Sequence, residues 1–455
     1  MLTRRQALGS LLAAPAALQA QARAAKPNIV FVLIDDMRWD CLSILGHPIV
    51  KTPNIDRLAK EGVLFSNAFV TTPLCSPARG SFLTGRYVRS HGVKDNTDNN
   101  ELSHKLITWP RLLQDSGYET AYVGKWHMGN EDMPRPGFDR WVSFRGQGVF
   151  NDPPLNIDGE RVQKKGYITD LLSDYAVEFI EKPHTKPFAV YLAHKAVHGP
   201  FTPAERHAQA YANAKIERAA SAQDTLEGKP MLQRPYNQPP PKKAPGQRVG
   251  GPTDDVIKDQ MRCLLSIDEG LGRILQALEK TKALDNTLVL FTSDNGYFWG
   301  EHRLGDKRAA YEESIRIPMV ARFPKLIKPG RRAGEMVLNI DIAPTMLEMA
   351  GAKPHPQVQG RSLVPLFKGN AKNWRRSFLC EYFYEKQFPR IAAWEAVRTE
   401  RWKYIHYFDL SNADELYDLK ADPMEMKNVI GESGAQKELE GLKKELERYR
   451  QEIRA

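Results

Sequence analysis

The run 28–34, NIVFVLI, is apolar at every position after Asn28. A strand with one face in water alternates apolar and polar side chains. A run without alternation is buried on both faces, as in a parallel sheet covered by helices on each side. Three shorter runs, 120–123 (TAYV), 188–192 (FAVYL) and 287–291 (TLVLF), repeat the signal. Helical patterns fall between them at 54–61, 109–115, 169–181 and 259–281. The last carries Leu264, Leu265, Ile267, Leu271, Ile274, Leu275 and Leu278 close to a 3.6-residue period. Strands alternating with crossover helices predict an α/β fold with a large, mostly parallel central sheet flanked by helices.

Beyond about residue 365 the rhythm changes. Short strands at 378–382, 393–398, 403–408 and 415–419 succeed one another without crossover helices, and a charged helix at 435–454 closes the chain. This predicts a small antiparallel sheet subdomain at 366–455 beside a catalytic domain at 26–365. Residues 1–25, MLTRRQALGSLLAAPAALQAQARAA, put Arg4 and Arg5 before a short apolar stretch and a tail of small residues. That is signal-peptide anatomy. Thr3-Arg4-Arg5 further points to a bacterial twin-arginine signal, hence to a periplasmic or secreted product. No other run approaches the roughly 18 apolar residues of a membrane span, so none is expected in the mature chain.

The formal net charge of +10 first suggests nucleic acid or another polyanion as partner. Three arginines of that surplus lie in the leader. Five more basic residues, with no acid, lie in the Pro-rich segment 229–250, KPMLQRPYNQPPPKKAPGQRVG. The folded body is then nearly neutral and carries no recognised basic motif, which argues against a nucleic-acid binder. Segment 229–250 reads as a long surface loop or lid, either a solvated insertion or a contact for a polyanion. An apolar content of 42% excludes global disorder.

The residues just after each apolar run carry the chemistry. The first run leads into Asp35-Asp36, the second into Gly124-Lys125-Trp126-His127, the third into His194-Lys195 and His198-Gly199-Pro200, and the fourth into Ser293-Asp294-Asn295-Gly296. In open α/β sheets, ligand sites form at the carboxyl ends of parallel strands, so four such ends deliver these groups to one crevice. Any one alone is also a common turn or helix cap. Asp35, Asp36, Asp294 and Asn295 offer hard oxygen ligands and no sulfur, a set suited to Ca²⁺ or Mg²⁺ rather than Zn²⁺. Lys125, His127, His198 and Lys307 add positive charge and proton-transfer groups. Together these describe a site for a tetrahedral oxyanion.

A further segment, 74–86, reads LCSPARGSFLTGR. Pro77 fits the first position of a helix with Ser76 as its cap, which places Cys75 just before a helix N-terminus where an anion is favoured. Arg79, one turn on, faces the same point. From the residues alone Cys75 is a reactive thiol in an electropositive cleft or a buried structural cysteine.

Cys75-Ser76-Pro77-Ala78-Arg79, with Leu83-Thr84-Gly85-Arg86-Tyr87 after it, resembles the signature of the type I sulfatases. The likeness extends over most of the chain from Asn28 onward. It implies an alkaline-phosphatase-like sandwich and conversion of Cys75 to formylglycine (3-oxoalanine) by a maturation enzyme. It also implies one Ca²⁺ held by Asp35, Asp36, Asp294, Asn295 and the modified residue 75. Arg79 would orient formylglycine, and Lys125 and Lys307 would hold sulfate oxygens. Lys307 stands in Gly305-Asp306-Lys307-Arg308, which resembles the family's sulfate-binding lysine loop. In the implied mechanism the aldehyde hydrates and one hydroxyl attacks sulfur. His198 protonates the leaving alcohol, and His127 takes a proton from the second hydroxyl as sulfate is expelled. His194 competes for the acid role or contacts substrate. Glu301-His302 take a solvated or structural role. Cys41, Cys263 and Cys380 form an odd remainder, and folding in a reducing cytosol predicts no structural disulfide.

Several segments resemble the bacterial N-acetylglucosamine-6-sulfatase branch: His91-Gly92-Val93 with Asn96, 125–129 with Arg135-Pro136-Gly137-Phe138 after it, and 194–201. The implied substrate is a 6-O-sulfated hexosamine of glycosaminoglycan or mucin-type glycan. The rival readings are a phosphonate monoester hydrolase or phosphodiesterase of the same superfamily, and a non-catalytic secreted glycan-binding protein. Alkaline-phosphatase chemistry itself needs a Ser or Thr nucleophile and His-rich dizinc ligation, which these residues do not assemble.

Overall fold

The structure is a computed structural model that describes residues 26–97, 99–234, 247–248 and 251–454. The leader at 1–25 and most of the basic segment 229–250 lie outside the described residues. A mixed sheet of ten strands forms the body. In chain order these are β1 (Asn28–Ile34), β2 (Val63–Phe69), β3 (Glu119–Lys125), β4 (Arg140–Phe144), β5 (Pro154–Ile157), β6 (Glu160–Gln163), β7 (Phe188–Ala193), β8 (Thr287–Ser293), β9 (Arg316–Arg322) and β10 (Arg331–Leu338). Their spatial order is β10-β2-β9-β8-β1-β7-β3-β4-β5-β6. Strands β8, β1, β7, β3 and β4 run parallel, while β9 pairs antiparallel with both β8 and β2.

The unbroken apolar run of β1 explains its central place. Val30, Val32 and Ile34 enter one buried cluster, and Ile29, Phe31 and Leu33 enter another on the opposite face. The first cluster is covered by α4 (Ile168–Glu181) and α5 (Asp254–Lys280), the second by α2 (Cys75–Thr84), α3 (Trp109–Asp115) and α6 (Ile342–Ala350); α1 (Pro53–Lys60) joins the first layer.

Beyond this body, β11 (Ser377–Tyr382), β12 (Trp394–Thr399), β13 (Trp402–Tyr407) and β14 (Glu415–Asp418) form an antiparallel sheet, and α7 (Gln436–Arg454) comes after it. A third apolar cluster joins this sheet to the body through Phe69, Leu74, Phe298, Tyr311 and Leu338.

The start of the basic segment corrects the surface-loop expectation. Lys229 is fully buried, 3.1 Å from Asp224, and Met231 and Leu232 are buried too. Arg234 donates to the Pro389 and Arg390 carbonyls at 2.8 and 2.9 Å. Apolar Met231 and Leu232 pull this stretch inward, so two of the five basic residues are anchors rather than a solvated surface. Cys41, Cys75, Cys263 and Cys380 are all buried and unpaired.

Candidate active site

Register brings the strand ends level. Leu33 of β1 pairs with Thr292 of β8 and Ala193 of β7, and Ala193 pairs with Gly124 of β3. Asp35, Asp294 and Lys125 therefore emerge at one edge. Gly124 lies at φ +122°, and a Cβ there would come within 1.8 Å of the Ala193 carbonyl oxygen, so only glycine lets these strands meet before Lys125. Asp36 and His127 also adopt left-handed backbone, at φ 61° and 58°. Non-glycine residues hold that conformation only where their surroundings dictate it.

The acids converge within 4.8 Å of one another: Asp35, Asp36 and Asp294. The Asp36 amide donates to Asp294 Oδ1 at 3.1 Å. Asn295 donates through Nδ2 to Asp36 Oδ1 at 2.7 Å. Its own Oδ1 is buried and has no hydrogen-bond partner among the described residues. Arg79 donates to Asp294 Oδ2 through Nε and Nη2 at 3.0 and 2.8 Å, and through Nη1 to the Lys125 carbonyl at 2.6 Å. The Lys125 ammonium donates to Asp35 and that of Lys307 to Asp36. Lys307 Nζ also stands 3.1 Å from Cys75 Sγ, which is 3.5 Å from Asp35 Oδ1.

Cys75 is the first residue of α2, not the residue before it, and Ser76 is no cap. The Ser76 hydroxyl donates instead to the His127 carbonyl, and its amide donates to Asn96 Oδ1 at 2.9 Å. Pro77 sits inside the first turn, where it removes no helical hydrogen bond. The whole of α2 is buried, which fixes residue 75 at the floor of the crevice.

The charges differ in how they are held. Burial raises the Asp35 carboxyl, but the charges of Lys125, Arg79 and Lys307 overcome it and hold it well below the usual range. Asp294 is pushed up to about 7 by burial and by Asp35, against Arg79. Burial pushes the Cys75 thiol up to about 12 despite Lys125 and Lys307. His127 and His198 are both held neutral, by burial and then by Lys125, His198 at about 3. His198 Nδ1 lies 2.9 Å from the Gly199 carbonyl and Nε2 lies 3.8 Å from Asp36 Oδ2, so Nε2 faces the acids.

The structure thus brings together Asp35, Asp36, Cys75, Arg79, Lys125, His127, His198, Asp294, Asn295 and Lys307. It does not bring His194. That side chain is 1% exposed and feels Arg273 and Asp170 of the α5–α4 layer, not the acids. Strand alternation explains the outcome: Ala193 faces the α2 layer, so its neighbour turns to the other side. Glu301 and His302 are buried structural groups rather than solvated ones, paired with Arg38 at 2.9 Å and Asp224 at 2.7 Å.

Three residues beside the candidate groups take roles that their sequence positions do not reveal. Ser293 accepts the Met37 amide at 2.9 Å and so fixes the Asp35-Asp36 turn. Ser76 orients the His127 backbone. Lys195 is buried and lowered to about 8 by burial and then by Lys125. Ser293 and Ser76 adjoin Asp294 and Cys75 in sequence, and that adjacency is the one signal that could have found them.

A doubly covered sheet whose strand ends gather three carboxylates, an arginine, two lysines and two histidines around a buried residue 75 defines a hydrolase of tetrahedral oxyanion esters. Residues 27–352 match the sulfatase family model, and residues 300–452 match the model described as N-sulphoglucosamine sulphohydrolase, C-terminal. The chain belongs to the sulfatase family and is a sulfuric ester hydrolase. It is 32% identical to an N-acetylglucosamine-6-O-sulfatase of Bacteroides thetaiotaomicron, over 93% of this chain and 86% of that one. It is 30% identical to the human N-acetylglucosamine-6-sulfatase, over 89% and 81%. A solved structure in complex with its substrate, D-glucosamine-2-N,6-O-disulfate, superposes with a TM-score of 0.85 at 31% identity, covering 94% of this chain and 98% of that one. The fold is also shared with a phosphonate monoester hydrolase from Silicibacter pomeroyi, TM-score 0.76 at 23% identity, covering 94% and 96%.

Proposed function

We propose that this enzyme removes the 6-O-sulfate of N-acetylglucosamine in glycosaminoglycan or mucin-type glycan, with residue 75 acting as formylglycine. The observation that carries the reading is the Cys75–Arg79–Lys125–Lys307 constellation in a chain whose relatives are named for that sugar ester. Cys75 Sγ marks where the oxygens of the hydrated aldehyde would stand.

The donor set fits a hard divalent cation. Three carboxylates and the unpartnered Asn295 Oδ1 offer oxygens alone. The rise of Asp294 to about 7 comes from burying like charges together, which a dication there relieves. Asp35, Asp36, Asp294, Asn295 and residue 75 would hold Ca²⁺. When bound it supplies positive charge to the nucleophile and to a sulfate oxygen.

This chain's own groups do the rest. Lys125 and Lys307 flank residue 75 and neutralise sulfate oxygens as charge develops on them. Arg79 locks Asp294 and the Lys125 backbone, and so fixes the floor. His127, neutral and beside Ser76, is free to accept a proton from residue 75 as sulfate leaves. His198 turns Nε2 toward the acids, on the side where a leaving oxygen would take a proton. Burial first, and then repulsion from Lys125, keeps His198 neutral; an anionic ester beside Lys125 and Lys307 offsets the repulsive part.

Export through a twin-arginine signal at 1–25, with the mature enzyme in the periplasm or outside, belongs to the same reading. Among the described residues no helix is long and apolar enough to cross a membrane.

The test is sulfate release from defined sulfated mono- and disaccharides, run beside matched phosphate and phosphonate esters. Preference for the 6-O-sulfated glucosamine series supports the reading. Faster turnover of phosphonate monoesters favours the superfamily rival. No turnover of any ester by enzyme shown to carry formylglycine favours the glycan-binding rival. Activity that survives exhaustive chelation argues against the metal.

A further inference from the structure

Lys307 reaches residue 75 from a short segment in an unusual backbone state. Its two neighbours, Asp306 and Arg308, both lie in the left-handed region, at φ 71° and 86°. Neither is glycine; Arg308 pairs with Asp306 across Lys307, which closes the segment on itself, and a second hold comes from other parts of the fold.

The groups that supply this second hold belong to the C-terminal sheet and its first loop. Arg308 Nε donates to Glu385 Oε2 at 2.7 Å, and the Tyr382 hydroxyl donates to the same oxygen at 2.8 Å. Trp394 Nε1 donates to the Arg308 carbonyl at 2.7 Å. The guanidinium carbon of Arg308 lies 3.4 Å from the Phe388 ring centroid. Arg308 and Glu385 are each 4% exposed, so water does not compete for the ion pair. The hold continues down the chain. Lys403 donates to the Ala310 carbonyl at 3.0 Å, the Tyr311 hydroxyl donates to Glu415 at 2.8 Å, and the Glu312 amide donates to Glu425 at 2.8 Å.

We propose that Glu385 and Trp394 are positioning residues for Lys307: by fixing Arg308 left-handed, the C-terminal sheet aims the lysine at residue 75. The sheet is then part of the reaction's machinery and not only a cover for the body. The proposal rests on the reading of Lys307 as a sulfate-holding group. Trp394 acts through a single donated hydrogen bond to a backbone carbonyl. Trp394→Phe removes that bond and keeps an aromatic ring in the apolar cluster.

The experiment is a double-mutant cycle in the full chain carrying formylglycine. Glu385→Gln and Trp394→Phe are each made in the wild-type and the Lys307→Ala backgrounds. Each is read on kcat/KM for a 6-sulfated glucosamine and on the calorimetric affinity for inorganic sulfate, so the Lys307→Ala background reports even where its turnover is low. In the wild-type background each variant is expected to lower kcat/KM by about 100-fold, the scale of a small misplacement of a reacting group. Sulfate affinity should fall with it. In the Lys307→Ala background the same changes should alter sulfate affinity less than about twofold, because the group they position is gone. Equal losses in both backgrounds would overturn the proposal and leave a structural role. Should Glu385→Gln not fold, Trp394→Phe decides alone. If the wild-type chain releases no sulfate yet binds it, the function reading fails while the sulfate cycle still judges the positioning.

Discussion

In the crevice, Asp35, Asp36 and Asp294 face Arg79, Lys125 and Lys307. Under the C-terminal sheet, Glu312 and Glu425 face Lys403 and Arg398. Both groups are buried and both balance acid against base. They differ in what is left over. Lys403 stands 2.9 Å from Glu312 and 2.7 Å from Glu425, and Glu312 is 3.2 Å from Arg398. Close by, Glu415 accepts three tyrosine hydroxyls, from Tyr311, Tyr407 and Tyr417 at 2.8, 3.1 and 2.7 Å. In the crevice, an amide oxygen of Asn295 has no partner among the described residues, and two lysines end beside residue 75. A charged cluster that closes on itself holds two layers together. One that leaves oxygens and ammonium groups facing a gap is built to receive an ion and an oxyanion.

Substitutions in the crevice should therefore cost activity and spare stability, and those in the junction should do the reverse. Cys75→Ala is expected to have the largest effect, a loss of at least about 10⁴-fold in kcat with an unchanged melting transition. Lys125→Ala and Lys307→Ala come next, at about 10²–10³-fold in kcat/KM, the scale of removing one oxyanion contact. His198→Ala is expected to cost about 100-fold on a sugar 6-sulfate, whose alkoxide leaves poorly, and much less on an aryl sulfate, whose phenoxide needs no proton. Equal losses on both esters would remove His198 from the acid role.

The junction gives a prediction about pH. Glu415 is pushed up to about 7 by burial, against its hydrogen bonds from Tyr417 and Tyr311. Its ordinary value is 4.5. Between those values the folded chain binds a proton that the unfolded chain does not, so stability contributed by this group is full below pH 4.5 and is lost as pH rises through about 7. The expected change is about 3 kcal/mol. Denaturation of wild type and Glu415→Gln at pH 5 and pH 8 measures it: the difference between the two proteins should shift with pH by that amount. A pH-independent difference would show that Glu415 does not titrate in this window.

The strands that bound the crevice are legible in the sequence because burial on both faces leaves an unbroken apolar run, as in 28–34. Strand β9, RIPMVAR, is not, because it begins and ends on arginine and carries Pro318. Proline signals a sheet edge or a bulge, and the pairing of β9 with β2 does shift register between Ile317 and Met319. Strand β10, RRAGEMVL, opens on charge at the sheet's margin. The acids and Lys125 are legible from their place after the runs, whereas Cys75 and Lys307 are marked only by resemblance to the sulfatase signature and its lysine loop. His194 misleads because adjacency along a strand end does not say which face a side chain takes. The hold of the C-terminal sheet on Lys307 is invisible in sequence, because Glu385 and Trp394 lie 78 and 87 residues from it and no local pattern marks them.

The most direct measurement is the mass of the peptide containing residue 75 in preparations of graded specific activity. Formylglycine should replace the thiol, and its fraction should rise in proportion to sulfate release. Full activity from chains that carry an unmodified Cys75 would contradict the assignment of residue 75 as the aldehyde-derived nucleophile.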